Sequence, residues 1–164
     1  MFDWTKALSR VARLCAIVAG MLLTAITLMT CLSVIGRETL GKPITGDFEL
    51  SGVAAGAAIA LFMPLCQLRR GNIIVDFFTT RCSAKTIQRL DQLGAILIAA
   101  CFALLAWRTA VGGINAFRGG SGTMILGFPE WMTYAFMVPA FFLAGLIALA
   151  QGAGLMPDEK RLLP

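Results

Sequence analysis

Residues 46–76 read GDFELSG, then an uncharged run as far as Leu68, and then RRGNIIVD. The uncharged part, residues 50–68, would be about 28 Å long as an α-helix, close to the thickness of the hydrocarbon core of a bilayer. Carboxylates precede this run and paired arginines follow it. Because basic residues are retained on the cytoplasmic side of a membrane, the stretch predicts a transmembrane helix with a fixed direction.

The composition of the whole chain points to the same class of protein. Of its 164 residues, 58% are apolar and 14% are charged, whereas soluble domains average about 45–50% and about 25%. A soluble fold of this size has too little interior for so much apolar side chain. The net charge of +5 does not indicate nucleic-acid binding, because the basic residues lie at the ends of apolar runs.

We therefore predict an all-α integral membrane protein, with one four-helix domain over residues 1–164. Apolar runs predict transmembrane spans at about 14–36, 50–68, 90–113 and 130–152. Residues 1–13, with basic and apolar side chains interspersed, predict a short amphipathic segment on the membrane surface, in contact with lipid.

Arg108 is the one charged residue well inside these runs. An arginine at the centre of a membrane helix costs about 2.5–3.5 kcal/mol on insertion scales, and less when the side chain reaches the interface. Because Trp107 precedes it and two glycines follow shortly after, we interpret Arg108 as an anchor at the membrane interface rather than a buried functional charge.

The distribution of Lys and Arg predicts the topology. The N-terminal segment holds three, the second loop five and the C-terminal tail two, against two in the first loop and two, Arg118 and the interfacial Arg108, at the third. This asymmetry of ten against four places both termini on the cytoplasmic side.

The sequence contains few signs of a catalytic, cofactor-binding or metal-binding site. The absence of histidine excludes bis-histidine haem and histidine-zinc sites, and the five cysteines never form a Cys-x-x-Cys pair. No span pairs an acid with a base, so we predict no enzyme activity, no cofactor and no metal site. Two alternatives remain open, a four-helix membrane redox or scaffold protein and an autonomous small exporter.

Glycines mark two further features. Gly52 and Gly56 form a Gly-x-x-x-Gly spacing, extended by Ala60, which favours close approach of another helix. Residues 118–128 are rich in glycine, and we interpret them as a flexible outer loop because no strand leads into them, as a phosphate-binding loop would require.

The order of several short motifs resembles a known family. An arginine follows the first span, a Gly-x-x-Glu-Leu enters the second, a Gly-x-Ile-x-Val-Asp follows it, and an aromatic segment with proline opens the fourth. These are Arg37, Gly46-Asp-Phe-Glu49-Leu50, Gly71-Asn72-Ile-Ile-Val75-Asp76 and Phe128-Pro129-Glu130-Trp131. Over nearly the whole chain this order is similar to the small membrane subunit (DctQ-type) of the tripartite ATP-independent periplasmic (TRAP) transporters. Asn72 stands where that family usually has histidine, and asparagine cannot titrate near neutral pH.

The resemblance implies a scaffold in a bacterial inner membrane. It implies a large membrane subunit (DctM-type) that carries a sodium-coupled path, and a periplasmic substrate-binding protein (DctP-type) that delivers an organic acid such as a dicarboxylate. From these motifs and from the glycine spacing, the candidate partner-interface or structural residues are Arg37, Glu49, Gly52, Gly56, Arg69, Arg70, Asn72 and Asp76. The alternative interpretation is purely structural: Arg37 and Glu49 would form an ion pair in the first loop, and Asp76 with Arg69 or Arg70 would fix the second loop.

Overall fold

The computed structural model describes residues 3–69 and 84–155. Four α-helices make up most of these residues, namely α1 (Asp3–Leu40), α2 (Asp47–Leu68), α3 (Ala84–Gly119) and α4 (Trp131–Gly152). All four are long and apolar enough to cross a membrane. The prediction of an all-α membrane protein with four transmembrane helices is therefore confirmed.

The first helix is longer than its predicted span. The amphipathic residues that were expected on the membrane surface form the first turns of α1, which has 38 residues without a break. At 1.5 Å per residue this helix is about 57 Å long, well beyond a hydrocarbon core of about 30 Å. The amphipathic turns therefore extend the first helix instead of forming a separate one.

The helices lie side by side in the order α1, α2, α4, α3. Helix α2 packs against α1 on one side and α4 on the other, and α1 has a small further contact with α4. Within the described part of the chain, α3 packs against α4 alone. The arrangement is an open row, and most of the surface of α1 and α3 has no neighbour among the described residues.

Small side chains form the contacts at the centre of the row. One cluster joins α1, α2 and α4 through Ala19, Ala58, Ala60, Leu61 and Ala140. Alanine at such positions lets helix backbones approach closely, which is how membrane helices pack in the absence of a hydrophobic driving force.

A second cluster lies at one end of the helix axes and joins α1, α2 and α4 there. It contains Ala12 of α1 with Ile147 and Ala150 of α4, and Leu68 at the end of α2 packs against it. The start of α1 therefore lies beside the ends of α2 and α4. We call this the terminal end of the molecule, and we call the opposite end, which carries the first and third loops, the loop end.

Helices α3 and α4 meet along a line of glycines. A Cβ atom added to Gly113 would lie 2.8 Å from Cβ of Tyr134, closer than side chains tolerate. Similarly, a Cβ atom on Gly145 would lie 3.4 Å from Cβ of Phe102. Glycine at these positions lets the two backbones approach, and the contacts fix the antiparallel register of the pair.

This register gives the level of Arg108. It brings Arg108 beside Pro139, eight residues after Trp131 and thirteen before Gly152. Arg108 therefore lies about 12 Å along the axis from the level of Trp131 and about 20 Å from that of Gly152. This level lies inside α4 rather than at either of its ends, and the position of Arg108 at the membrane interface stays a prediction.

Candidate functional site

At the loop end, Ser33 ties the first loop to α1. Its side chain is 2% exposed, and its hydroxyl donates a hydrogen bond to Asp47 Oδ2. The Ser33 hydroxyl oxygen in turn accepts the backbone N–H of Ile44 at 3.2 Å. Asp47 lies in the first turn of α2, where a negative charge stabilises the helix N-terminus. The loop and the start of α2 are thus held together by one buried hydroxyl.

Glu49 ties the third loop to α2. Its Oε1 accepts the backbone N–H of Ile125 at 2.9 Å, and its Oε2 accepts that of Leu126 at 3.2 Å. Hydrogen bonds to an ionised carboxylate are stronger than those between neutral groups. The first turn of α2 therefore positions the loop between α3 and α4, although the two are far apart in sequence.

The third loop also closes on itself. The backbone N–H of Thr123 donates to the carbonyl of Phe128 at 3.0 Å, and the Thr123 hydroxyl accepts the N–H of Phe128 at 3.0 Å. The N–H of Glu130 donates to the carbonyl of Ser121 at 3.1 Å. The glycines therefore allow a tight hydrogen-bonded turn rather than a chain without contacts, and the flexibility of the loop stays a prediction.

Gly46 brings the two loops into contact. Its φ of 81° lies in the left-handed region that favours glycine, and an added Cβ would lie 2.4 Å from Cγ of Leu126. The backbone fixed in this way exposes large apolar side chains, with Phe48 88% exposed and Met124 fully exposed. The loop end thus presents an apolar surface on backbone that is held by Glu49 and Ser33.

The predicted ion pair of the first loop is wrong. Arg37 Nε lies 3.6 Å from Glu38 Oε1, and both side chains are exposed. The carboxylate of Glu49 instead accepts hydrogen bonds from the backbone of the third loop. An exposed pair such as Arg37 with Glu38 contributes little to stability.

Gly52 and Gly56 face away from the other described helices. A Cβ atom added to either glycine would have no heavy atom of another described helix or loop within 4 Å. Ala60, which was expected on the same face, is instead buried in the central cluster. The predicted packing at these glycines therefore concerns contacts outside this chain, and it stays a prediction.

The second loop lies mostly outside the described residues. Arg69 ends α2, with its backbone N–H donating to the carbonyl of Leu65 at 3.1 Å. Arg70, Asn72 and Asp76 lie outside the described residues.

Sequence reasoning missed a buried amide pair at the terminal end. Gln67 Nε2 donates to Gln151 Oε1 at 2.7 Å, and Gln151 Nε2 donates to the carbonyl of Gln67 at 2.9 Å. The two side chains are 3% and 7% exposed. A signal was present, since each of these apolar helices has one glutamine near its C-terminal end. The pair joins the ends of α2 and α4.

One groove of the described structure has an apolar lining. It lies between α3 and α4 near the loop end, has a volume of about 310 Å³, and includes Phe117, Trp131 and Tyr134. Phe117 and Trp131 meet edge to face with their ring centres 5.6 Å apart. Such a groove fits a hydrocarbon chain or an apolar side chain, but it offers no acid or base for chemistry.

The match to a family model agrees with these observations. The model that describes the DctQ component of the tripartite ATP-independent periplasmic transporters matches residues 26–157, from the middle of α1 to beyond the end of α4. No curated protein and no solved structure matches the chain. A match over this much of the chain, together with four helices long enough to cross a membrane, shows that the protein belongs to the DctQ component family of the tripartite ATP-independent periplasmic transporters.

Proposed function

We propose that this chain is the small transmembrane subunit that braces the large membrane subunit of a TRAP transporter. The transporter would take up an organic acid, such as a dicarboxylate, in a sodium-coupled reaction that depends on a periplasmic substrate-binding protein. The observation that carries this proposal is the family match over residues 26–157.

The geometry supports a bracing role over a transport role for the chain itself. In the described residues the hydrogen-bonding groups of Ser33, Asp47, Glu49, Gln67 and Gln151 bind other parts of the same chain. These contacts stabilise loops and helix ends, and the described side chains include no set of convergent polar groups at mid-membrane for a substrate. The open row leaves broad apolar surfaces, which suit a second membrane protein.

We further propose that the protein lies in the inner membrane of a bacterium, with both termini in the cytoplasm. The excess of Lys and Arg in the terminal segments and the second loop supports this orientation. The loop end would then face the periplasm, where a substrate-binding protein arrives. Its exposed apolar side chains are available to partners there.

Co-expression with the large membrane subunit from the same gene cluster tests the proposal. We expect a tagged chain to recover the large subunit in a stable complex. Proteoliposomes that contain both should accumulate the organic acid when sodium and the binding protein are supplied.

Two results would contradict the proposal. One is uptake at the full rate by liposomes that contain the large subunit alone. The other is flux through liposomes that contain only this chain, which would favour the autonomous exporter.

A further inference from the structure

Arg108 lies on an outward surface of α3, the helix at the edge of the row. It is level with Pro139 of α4, and its side chain is exposed. The guanidinium has no hydrogen bond or ion pair with any described residue. Since α3 packs against α4 alone in the described structure, the rest of the α3 surface is open to lipid or to a partner.

Arg108 belongs to a continuous stripe along this surface. Leu97, Cys101 and Leu104 precede it at intervals of four and three residues, which places all four side chains on one side of the helix. Leu97 is 68% exposed and Leu104 is 62% exposed. This spacing is typical of a face that packs against another helix, and we call it the Arg108 face.

A guanidinium at this level needs a counter-charge. Charged groups in the hydrocarbon are costly unless they are paired, and arginines in membrane helices usually face a protein partner or water. The acidic residues of the four helices lie at or near helix ends, as Glu38, Asp47, Glu49 and Asp91 do. The counter-charge for Arg108 must therefore come from outside these helices.

Lipid phosphate fits this requirement less well than a protein carboxylate. The level of Trp131, where α4 begins, is about 12 Å along the helix axis from Arg108. Tryptophan is enriched near the lipid headgroups, so we expect phosphate groups at or beyond the level of Trp131, farther than an arginine side chain reaches without thinning the bilayer. A carboxylate on a neighbouring helix can lie at the same depth as the guanidinium and bind it directly.

We propose that the Arg108 face docks against a membrane-spanning helix of the large subunit, and that this helix carries an aspartate or glutamate paired with Arg108. The inference rests on the proposed function, because the partner is the large subunit of the same transporter. It adds which face of this chain meets that subunit and which charge recognises it.

Substitution of Arg108 tests the pairing. With the large subunit co-expressed, Arg108→Leu should lower its recovery about tenfold or more, since the partner carboxylate is left buried and unpaired. Arg108→Lys should retain part of the recovery. Arg118→Leu, in the last turn of the same helix, is the matched control and should recover the large subunit like wild type.

Two further measurements separate docking from folding. Arg108→Leu in the isolated chain should keep the wild-type thermal unfolding in detergent, because the guanidinium binds no other described residue. The photo-reactive residue p-benzoylphenylalanine at Leu104 should crosslink to a helix of the large subunit. Arg108→Glu should then be rescued by changing the crosslinked helix's carboxylate to arginine.

The outcomes are distinguishable from those of the proposed function. If wild type and Arg108→Leu recover the large subunit equally and the probe at Leu104 labels only lipid, the inference is overturned while the proposed function stands. If the wild-type chain recovers no large subunit, the proposed function fails and the inference fails with it.

Discussion

At the residue scale, the carboxylate of Glu49 connects parts of the chain that are remote in sequence. It lies in the first turn of α2 and accepts backbone N–H groups of the third loop. Two backbone donors that would otherwise need water are satisfied by one side chain. The carboxylate therefore holds that loop against α2, in addition to the contact of Gly46 with Leu126.

We expect Glu49→Ala to expose the backbone amides of Ile125 and Leu126. Without the carboxylate these two N–H groups have no acceptor, so their hydrogen exchange should accelerate by roughly tenfold while the helices keep their protection. Exchange measured in lipid nanodiscs by mass spectrometry or NMR checks this. Glu38→Ala, which removes only the exposed partner of Arg37, serves as the control. Equal exchange in both variants would show that the loop keeps its position without Glu49.

The sequence predicted that Glu49 matters but not what it binds. The resemblance to the family marked Glu49 as a candidate at the entry of the second span, and Arg37, the other candidate of the first loop, suggested an ion pair. The actual partners are backbone N–H groups, which every residue except proline has and which no sequence pattern reveals. Gln67 and Gln151 were overlooked for a related reason, since each looks isolated until the register of α2 against α4 is known.

At the scale of the helices, glycines lie on two different kinds of surface, one buried between helices and one open. Gly113 lies inside the contact between α3 and α4, whereas Gly52 and Gly56 face away from every other described helix. The same residue type thus packs this chain at one place and leaves an open surface at another.

We expect these two kinds of glycine to respond differently to leucine. Gly113→Leu should lower the free energy of unfolding of the isolated chain by about 1–3 kcal/mol, because its side chain would overlap Tyr134. Gly52→Leu and Gly56→Leu should change that free energy by less than about 0.5 kcal/mol, but they should lower recovery of the large subunit.

Unfolding in detergent followed by circular dichroism, together with co-purification, separates the two effects. Ile59→Leu, at an exposed position of α2 that already has a bulky side chain, is the control for the leucine itself. Unchanged complex yield for both Gly52→Leu and Gly56→Leu would show that their face meets only lipid.

The sequence predicted the helices better than their ends and contacts. Apolar runs of about twenty residues predict spans directly, because the thickness of the bilayer sets their length. The runs do not show that α1 continues unbroken back to Asp3, since amphipathic turns are equally compatible with a separate surface helix. The apolar runs also do not show which helices are neighbours, because helices of similar apolarity can be arranged in many orders with the same sequence pattern.

At the scale of the whole molecule, the terminal end and the loop end differ in structure. The start of α1 and the end of α4 meet at the terminal end, and the loop end carries the two hydrogen-bonded loops. The orientation of this axis in the membrane decides which end would meet the substrate-binding protein that the proposed function requires.

We expect the loop end to be accessible from the periplasm. In a variant in which Cys15, Cys31, Cys66, Cys82 and Cys101 are replaced by serine or alanine, Met124→Cys should react with a membrane-impermeant maleimide on spheroplasts. Leu155→Cys, at the terminal end, should react only after the membrane is permeabilised. Gel-shift labelling measures both, and the reverse pattern would overturn the orientation that the Lys and Arg distribution predicts.

The open row also affects how quickly a copy of the chain that has no partner is degraded in a cell. Because α3 packs against α4 alone within the described structure, it can separate from the row by opening a single interface between two helices. States opened in this way are what cellular quality control removes. A chain made in excess of its partner would then be degraded faster than an assembled one. Turnover could in this way keep the amount of this subunit matched to that of its partner.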